Sequence, residues 1–127
     1  MKSRIGLACF ALWLCLIAIA PAWAAPGTVL RVVVVESQNP AAYVAEIERG
    51  RALLKAKGSQ IEIRVWRATY AGSEAGTVVA SAVYPSLAAL AEDNAKLSSD
   101  PELRAWIQGL DKVRKIVSDS LYTELTQ

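Results

Sequence analysis

The chain has 127 residues, of which 54% are apolar and 20% charged, and its formal net charge is +2. This length suits a single domain. The apolar content excludes a disordered protein, which holds too little apolar surface to compact, and seven glycines without a period exclude a collagen-like repeat. The chain has no histidine, so the most common general base and the most common ligand of transition metals are both missing.

Residues 1–24 have the features of a secretory signal peptide. Lys2 and Arg4 precede an uncharged run over residues 5–20, and a small-residue cleavage pattern follows that closes with Ala24. We expect cleavage after this alanine, which predicts an exported protein that is either periplasmic or secreted.

Two other interpretations of this segment are an uncleaved membrane anchor and a lipoprotein. The apolar run has 16 residues, fewer than the roughly 20 that a helix needs to cross a bilayer. A lipoprotein would be modified at Cys9 or Cys15, but Leu14 is too bulky for the position before the modified cysteine, and the leucine before Cys9 stands one position too late. A cleaved signal peptide is therefore favoured over both.

Cleavage would leave residues 25–127 as one domain with no disulfide and no thiol, because both cysteines lie in the signal peptide. The signal peptide also holds two of the 14 basic side chains and none of the 12 acidic ones, so the domain is electrically neutral. Such a domain has no electrostatic reason to bind nucleic acid or, after signal cleavage, an acidic membrane. Zinc would have to be bound by carboxylates alone, so we expect no metal site.

The domain shows strand and helix patterns that follow one another along the chain. A run of β-branched residues predicts a first strand covered on both faces, and strict alternation at residues 61–66 predicts a second strand. Asn39, Ser86 and Asp100 suit the capping positions of helices, and Pro101 breaks the last helical stretch in two. The predicted elements are a strand at 28–36, a helix at 39–58, a strand at 60–70, a loop at 71–76, a strand at 77–84, a helix at 86–97, a second helical segment at 100–117 and a strand at 121–125.

This order predicts an α+β fold of the ferredoxin-like βαββαβ type, with the second helix broken near Asp100-Pro101. Right-handed crossovers place the helices on one face of a four-stranded antiparallel sheet. In the second strand, Ile61, Ile63 and Val65 would face the helices. The opposite face would carry Glu62, Arg64, Trp66, Ala68 and Tyr70.

The face of the sheet without helices is predicted to be half apolar and rich in aromatic residues. A lone subunit would leave this face in water, and soluble monomers rarely expose so large an apolar patch. We therefore predict a homodimer in which the two sheet faces pack against each other around a two-fold axis.

The order of elements resembles that of the dimeric α+β barrel superfamily. The segment 77–90, in which a strand runs directly into a helix of small residues, resembles that superfamily too. The resemblance spans about residues 28–125 and is greatest to the antibiotic-biosynthesis-monooxygenase-like and NIPSNAP-like branches. It implies that a ligand sits between the sheet and its helices or within the barrel. Members include cofactor-independent monooxygenases and haem-degrading enzymes. The latter use a histidine of the second helix, and its absence here argues against haem, so we expect no cofactor.

Arg64, Trp66 and Tyr70 share one face of the predicted second strand and form the first candidate site. The aromatic side chains would form a wall for a flat ligand, and the guanidinium would bind its carboxylate. The alternative is a dimer contact that fills the barrel. Tyr84, at the end of the third strand, is the fourth candidate, and its hydroxyl either orients a substrate or reaches water.

The remaining polar residues show no catalytic pattern. Glu92 and Asp93 are expected on an exposed helix face, and Asn94 would need hydrogen-bond partners if buried. Trp106 is expected to pack a helix against the sheet or to roof a cavity. The sequence has no phosphate-binding glycine loop, dinucleotide motif or nucleophile elbow.

The sequence thus predicts an exported dimeric α+β barrel protein that binds a small organic molecule or acts through its dimer. One alternative is a cofactor-independent monooxygenase, in which the protein supplies shape and excludes water. The other is a structural protein with a filled barrel. A cavity above about 300 Å³ beside Arg64, Trp66 or Tyr70 would favour ligand binding or catalysis.

Overall fold

The computed structural model describes residues 27–125, so the predicted signal peptide and its cleavage site lie outside the described residues. No helix in this part of the chain is both long and apolar enough to cross a membrane. The elements are β1 (Val29–Glu36), α1 (Pro40–Ala56), β2 (Glu62–Arg67), a short 3-10 turn (Gly72–Glu74), β3 (Val78–Tyr84), α2 (Leu87–Ser99), α3 (Pro101–Asp111) and β4 (Lys115–Thr123).

The four strands form one antiparallel sheet in the order β2-β3-β1-β4. The hairpin of β2 and β3 makes one half of the sheet, and β1 joins it to β4. All three helices cover the same face. The predicted ferredoxin-like α+β fold is confirmed, including the break of the second helical stretch, which ends α2 and starts α3 at Asp100.

Each helix begins at a residue whose side chain accepts backbone N–H groups of the first turn. Asn39 Oδ1 accepts from the N–H three residues later at 3.1 Å, and Ser86 Oγ does the same at 3.0 Å. Asp100 Oδ1 accepts from the N–H of Glu102 at 2.9 Å. The first turn of a helix leaves these N–H groups without partners inside the helix, and the caps supply them. The predicted helix starts are therefore correct.

The core lies between the sheet and the helices, and Trp106 of α3 joins its parts. The indole Nε1 donates to the backbone carbonyl of Glu46 in α1 at 2.7 Å. The ring lies against the backbone of Gly50, where an added Cβ would be 2.0 Å from two ring carbons. The largest buried cluster is formed by Val35, Tyr43, Ile47, Leu54, Ile63, Val78, Ala80, Leu103, Trp106 and Leu110.

The C-terminal part of the chain differs from the sequence-based prediction. α3 ends at Asp111, and Val117 lies in β4 rather than in a helical stripe. Asp119 and Ser120 lie in the middle of that strand and do not turn the chain. The closing strand is therefore longer, and begins earlier, than the segment 121–125 that was predicted.

The reason for this difference is the partner strand. β4 pairs with β1 along its whole length, and these long-range backbone hydrogen bonds outweigh the helix-like spacing of the local sequence. A β-bulge between Val34 and Val35 of β1 leaves Val117 as an extra residue in β4. The bulge interrupts the alternation by which a strand is recognised in a sequence.

The buried face of α2 also differs from the prediction. Leu87 and Ala91 were expected in the apolar stripe but are exposed. Asp93 was expected in water but is only 4% exposed. The buried line runs through Leu90, Asp93 and Leu97, which have the three- and four-residue spacing of one helix face. The carboxylate of Asp93 thus lies at a buried position where the sequence pattern predicts an apolar side chain.

Replacing Gly50 with Ala is expected to lower the free energy of unfolding by about 2 kcal/mol, because the new Cβ displaces the buried indole of Trp106. Gly109→Ala is the matched control in a second helix. Its Cβ would approach only the mobile ends of the Arg49 and Glu46 side chains, at 3.3 Å, and alanine favours a helix by about 1 kcal/mol over glycine. Urea unfolding measures both variants, and equal stabilities would contradict this role of the indole.

Candidate functional site

A cavity of about 110 Å³ lies between the sheet and the helices, and all four strands and all three helices contribute to its wall. Most of the wall is apolar. An apolar cavity with a few convergent polar groups is the usual form of a small-molecule site. The polar side chains that line it are Arg31, Tyr43, Tyr84, Asp93 and Arg114.

Tyr43 is the most buried of these polar side chains. It lies in the first turn of α1, has no exposed surface, and its hydroxyl has no hydrogen-bond partner within residues 27–125. Burial raises the pKa of this hydroxyl, while the nearby Arg114 opposes the rise through its positive charge and through the approach of its guanidinium to the hydroxyl oxygen, which is too loose for a well-formed hydrogen bond. Because a buried hydroxyl without a partner destabilises a fold, this group is a candidate for ligand recognition.

Arg114 lies in the turn between α3 and β4, and its side chain is only 12% exposed. Asp111 Oδ1 accepts hydrogen bonds from Nε at 3.2 Å and from Nη2 at 3.1 Å. The Asp111 side chain is itself mostly exposed, so solvent screens its negative charge. A positive charge therefore remains beside the Tyr43 hydroxyl at this end of the cavity.

Tyr84 and Asp93 lie toward the other end of the cavity. Tyr84 pairs with Val29, at the end of β1 that is distant from the turn containing Arg114. Burial raises the pKa of Tyr84 to about 12, the negative charge of Asp93 adds to the rise, and the charge of Arg31 opposes it. The phenol is thus neutral near pH 7, and it is buried rather than a strand-end aromatic in open water.

The buried carboxylate of Asp93 is held by two neighbours. Ser59 Oγ donates to Oδ2, and Lys96 Nζ lies 3.9 Å from Oδ1. Lys96 Nζ also donates to the carbonyl of Lys57 at 3.2 Å. These contacts tie α2 to the segment after α1 and supply the partners that a buried charge needs.

An ion pair stands beside the cavity where β1 meets β4. Arg31 Nε donates to Asp119 Oδ1 at 2.9 Å and Nη2 donates to Oδ2 at 2.5 Å, which is a bidentate arrangement. The hydrogen bond from Arg31 holds the pKa of Asp119 below its usual value. On the same face of the sheet, Ile116 and Leu121 are about half exposed, so the helices leave β4 uncovered. The cavity therefore lies close to solvent on its β4 side.

The four candidate residues predicted from the sequence lie in different places. Arg64 and Trp66 line a depression of about 390 Å³ on the sheet face without helices, which we call the open face. β2 ends at Arg67, so Tyr70 lies in the turn beyond it, fully exposed. Tyr84 lies on the helix side of the sheet. These residues therefore do not form one site within a single protomer.

On the open face, both predicted side chains already have partners. Arg64 forms an ion pair with Glu62, and Trp66 Nε1 donates to Ser81 Oγ at 2.8 Å. The Trp66 side chain is still half exposed. Binding of a flat ligand by these two residues stays a prediction.

Sequence reasoning missed most of the polar residues of the helix-side cavity. Tyr43 is indistinguishable in the sequence from an apolar stripe residue, and Arg114 from a surface charge. Two signals were present: Arg31 interrupts an otherwise apolar strand, and Asp93 stands at core spacing from Leu90. Trp106 lines the cavity, as the second of its two predicted roles has it, and its ring packs α3 against α1. Asn94 is exposed, and residues 27–125 hold no group of three or more metal-ligating side chains.

Comparison with known proteins agrees with this fold. No protein-family model matches the chain, and no curated protein matches it. The chain is similar to SnoaB, a cofactor-independent oxygenase from Streptomyces nogalater, with 15% identity and a TM-score of 0.61 over 80% of this chain and 96% of that one.

Two further solved structures are similar. A protein assigned to the antibiotic biosynthesis monooxygenases, from Caulobacter crescentus, has 13% identity and a TM-score of 0.59 over 80% of this chain and 93% of its own. A NIPSNAP family protein from Agrobacterium tumefaciens has 18% identity and a TM-score of 0.57 over 79% of this chain and 93% of its own. At these identities the likeness shows the fold, and it confirms the predicted resemblance to both branches.

Replacing Tyr43 with Phe is expected to raise the free energy of unfolding of the ligand-free protein by about 1 kcal/mol, because it removes a buried hydroxyl that has no partner. Thermal or urea unfolding measures the change. A loss of stability instead would mean that the hydroxyl holds the fold together.

Asp119 is expected to make stability depend on pH. Its pKa is lower folded than unfolded, so its contribution is complete above the ordinary value of 3.8 and is lost as the pH falls through the folded value. The pair is partly exposed, so the loss should be under about 1 kcal/mol. The test is to measure the free energy of unfolding of Asp119→Asn and of the unchanged protein at pH values around and below 3.8. The same acid dependence in both proteins would refute the contribution of Asp119.

Proposed function

We propose that this protein binds a small organic molecule in the cavity between the sheet and the helices. The observation that carries the proposal is the combination of an apolar wall with buried polar groups at both ends. A cavity that takes drug-sized ligands has about 300–1,000 Å³, whereas an apolar cavity of about 150 Å³ holds benzene. The 110 Å³ found here is slightly below the volume that holds benzene and far below the drug-sized range, so it favours a single ring, seated with a small adjustment of the wall, over a fused ring system.

Calorimetric titration with single-ring and three-ring aromatic compounds tests this proposal. We expect binding of the single-ring compounds alone. Ala82→Met places a longer side chain in the cavity and should abolish binding, while Ala95→Met, on the exposed side of α2, should leave it unchanged. Failure of every single-ring compound to bind, or equal binding by both variants, would overturn the proposal.

A second candidate function is cofactor-independent oxygenation, supported by the fold shared with SnoaB and by the buried carboxylate of Asp93 in the cavity wall. Asp93 would accept a proton from an activated methylene of a phenolic substrate. The resulting carbanion would react with O₂, one oxygen atom entering the product as a carbonyl and the other leaving as water with the two hydrogens of the methylene. The protein would supply orientation and exclude water.

Oxygen uptake distinguishes this candidate from simple binding. With a single-ring phenolic substrate, one O₂ should be consumed for each carbonyl formed, and Asp93→Asn should slow uptake about 100-fold if the carboxylate acts as the base. Thermal unfolding of the variant controls for loss of the fold. A substrate that binds without oxygen uptake would refute the oxygenase candidate and leave the binding proposal intact.

We propose that the open face joins two copies of the chain as a homodimer. The exposed aromatic residues Trp66 and Tyr122 project from it among valines of the central strands. A two-fold axis would place this face against itself and remove its apolar surface from water.

Sedimentation tests the dimer. Val83→Lys would place two new charges in the contact and should give monomers, whereas Ala91→Lys on the exposed face of α2 should not. A monomeric unchanged protein at high concentration would refute the dimer.

We also propose export through residues 1–24, on the basis of their charge and apolar pattern. The exported form should begin at Ala25, which N-terminal sequencing of protein recovered outside the cytoplasm would show. An intact N-terminus on that protein would refute cleavage.

A further inference from the structure

We propose, as a step that rests on the proposed binding function, that the ligand is a single-ring aromatic oxyanion such as a carboxylate. Its negative oxygen would be received by the hydroxyl of Tyr43 and the guanidinium of Arg114, with the ring in the apolar middle of the cavity. Tyr43 and Arg114 line the same cavity, and the juxtaposition of a buried hydroxyl that has no acceptor with a mostly buried positive charge carries this inference.

The first step concerns the hydroxyl. Tyr43 has no exposed surface, lines the cavity and finds no acceptor among residues 27–125. A buried donor in this state is costly, and native folds keep few such groups. A ligand oxygen in the cavity would accept its hydrogen bond.

The second step concerns charge. Arg114 lies close enough to Tyr43 for its charge to oppose the effect of burial on the tyrosine pKa. Its hydrogen bonds within the described residues use Nε and Nη2, both to a single oxygen of Asp111. Neither of these bonds uses Nη1, and the guanidinium approaches the hydroxyl oxygen of Tyr43, so a ligand oxygen at this point could accept from both side chains. A guanidinium prefers a carboxylate to a neutral acceptor.

The third step is selection against other ligands. A neutral hydrocarbon would leave both donors unsatisfied, and a cation would be repelled by Arg114. The other arginine of the wall, Arg31, uses the same two nitrogens, but each of them binds its own oxygen of Asp119, so the charge of Arg31 is already paired by a bidentate carboxylate. An anion would therefore gain the most binding free energy at the Tyr43 end of the cavity.

Titration calorimetry with benzoate, its neutral near-isostere benzamide, and benzene tests this inference. Benzoate should bind at least about tenfold tighter than benzamide, because a hydrogen bond to a charged group contributes more than one to a neutral group. Arg114→Gln should remove this preference, and Arg104→Gln, an exposed arginine of α3, should keep it.

Two more variants separate recognition from folding. Tyr43→Phe should weaken benzoate binding about tenfold while raising ligand-free stability, a combination that a purely structural tyrosine would not give. Asp111→Asn, at a mostly exposed position, should strengthen benzoate binding because it removes the competitor for the guanidinium.

The outcomes distinguish the two proposals. Equal binding of benzoate, benzamide and benzene, unchanged by Tyr43→Phe, would overturn the oxyanion inference and leave single-ring binding in place. Absence of binding by all three compounds would overturn the proposed binding function and this inference with it.

Discussion

The contact between Trp106 and Gly50 is the constraint on which the rest of the structure depends. It brings α3 directly against the backbone of α1, and the hydrogen bond from the indole to the Glu46 carbonyl fixes the ring in one orientation. The same ring forms part of the cavity wall. The spacing of the two helices therefore also sets the size of the space beneath them, and a larger residue at position 50 would change both.

Within the cavity, the side chain that would make the fold most stable differs from the one that could bind a ligand. An apolar residue in place of Tyr43 would satisfy the core better, yet a hydroxyl is present and has no partner within the described residues. The carboxylate of Asp93, by contrast, accepts a hydrogen bond from Ser59 and lies near the charge of Lys96, and these contacts tie α2 in place. Local departures from good packing concentrate at functional sites in natural proteins, so the unsatisfied group is the better guide to ligand chemistry.

The two faces of the sheet have different chemical characters. The helix side is closed over β1, β2 and β3, while β4 extends beyond the helices and leaves Ile116 and Leu121 partly exposed. The open face pairs its polar groups locally, Arg64 with Glu62 and Trp66 with Ser81. Such internally satisfied polar groups on a partly apolar surface suit contact with another protein face better than capture of a charged ligand.

The sequence alone determined the order of elements and the helix starts at Asn39, Ser86 and Asp100. It also determined that Ile63 and Val65 point inward. Caps and the two-residue period of a strand act over a few neighbouring residues, so they can be read locally. Only the tertiary structure decided where β4 lies and that Asp93 is buried. It also decided that Tyr43, Arg114 and Tyr84 line one cavity. Each depends on long-range pairing or on helix rotation, and neither leaves a signal in the spacing of nearby residues.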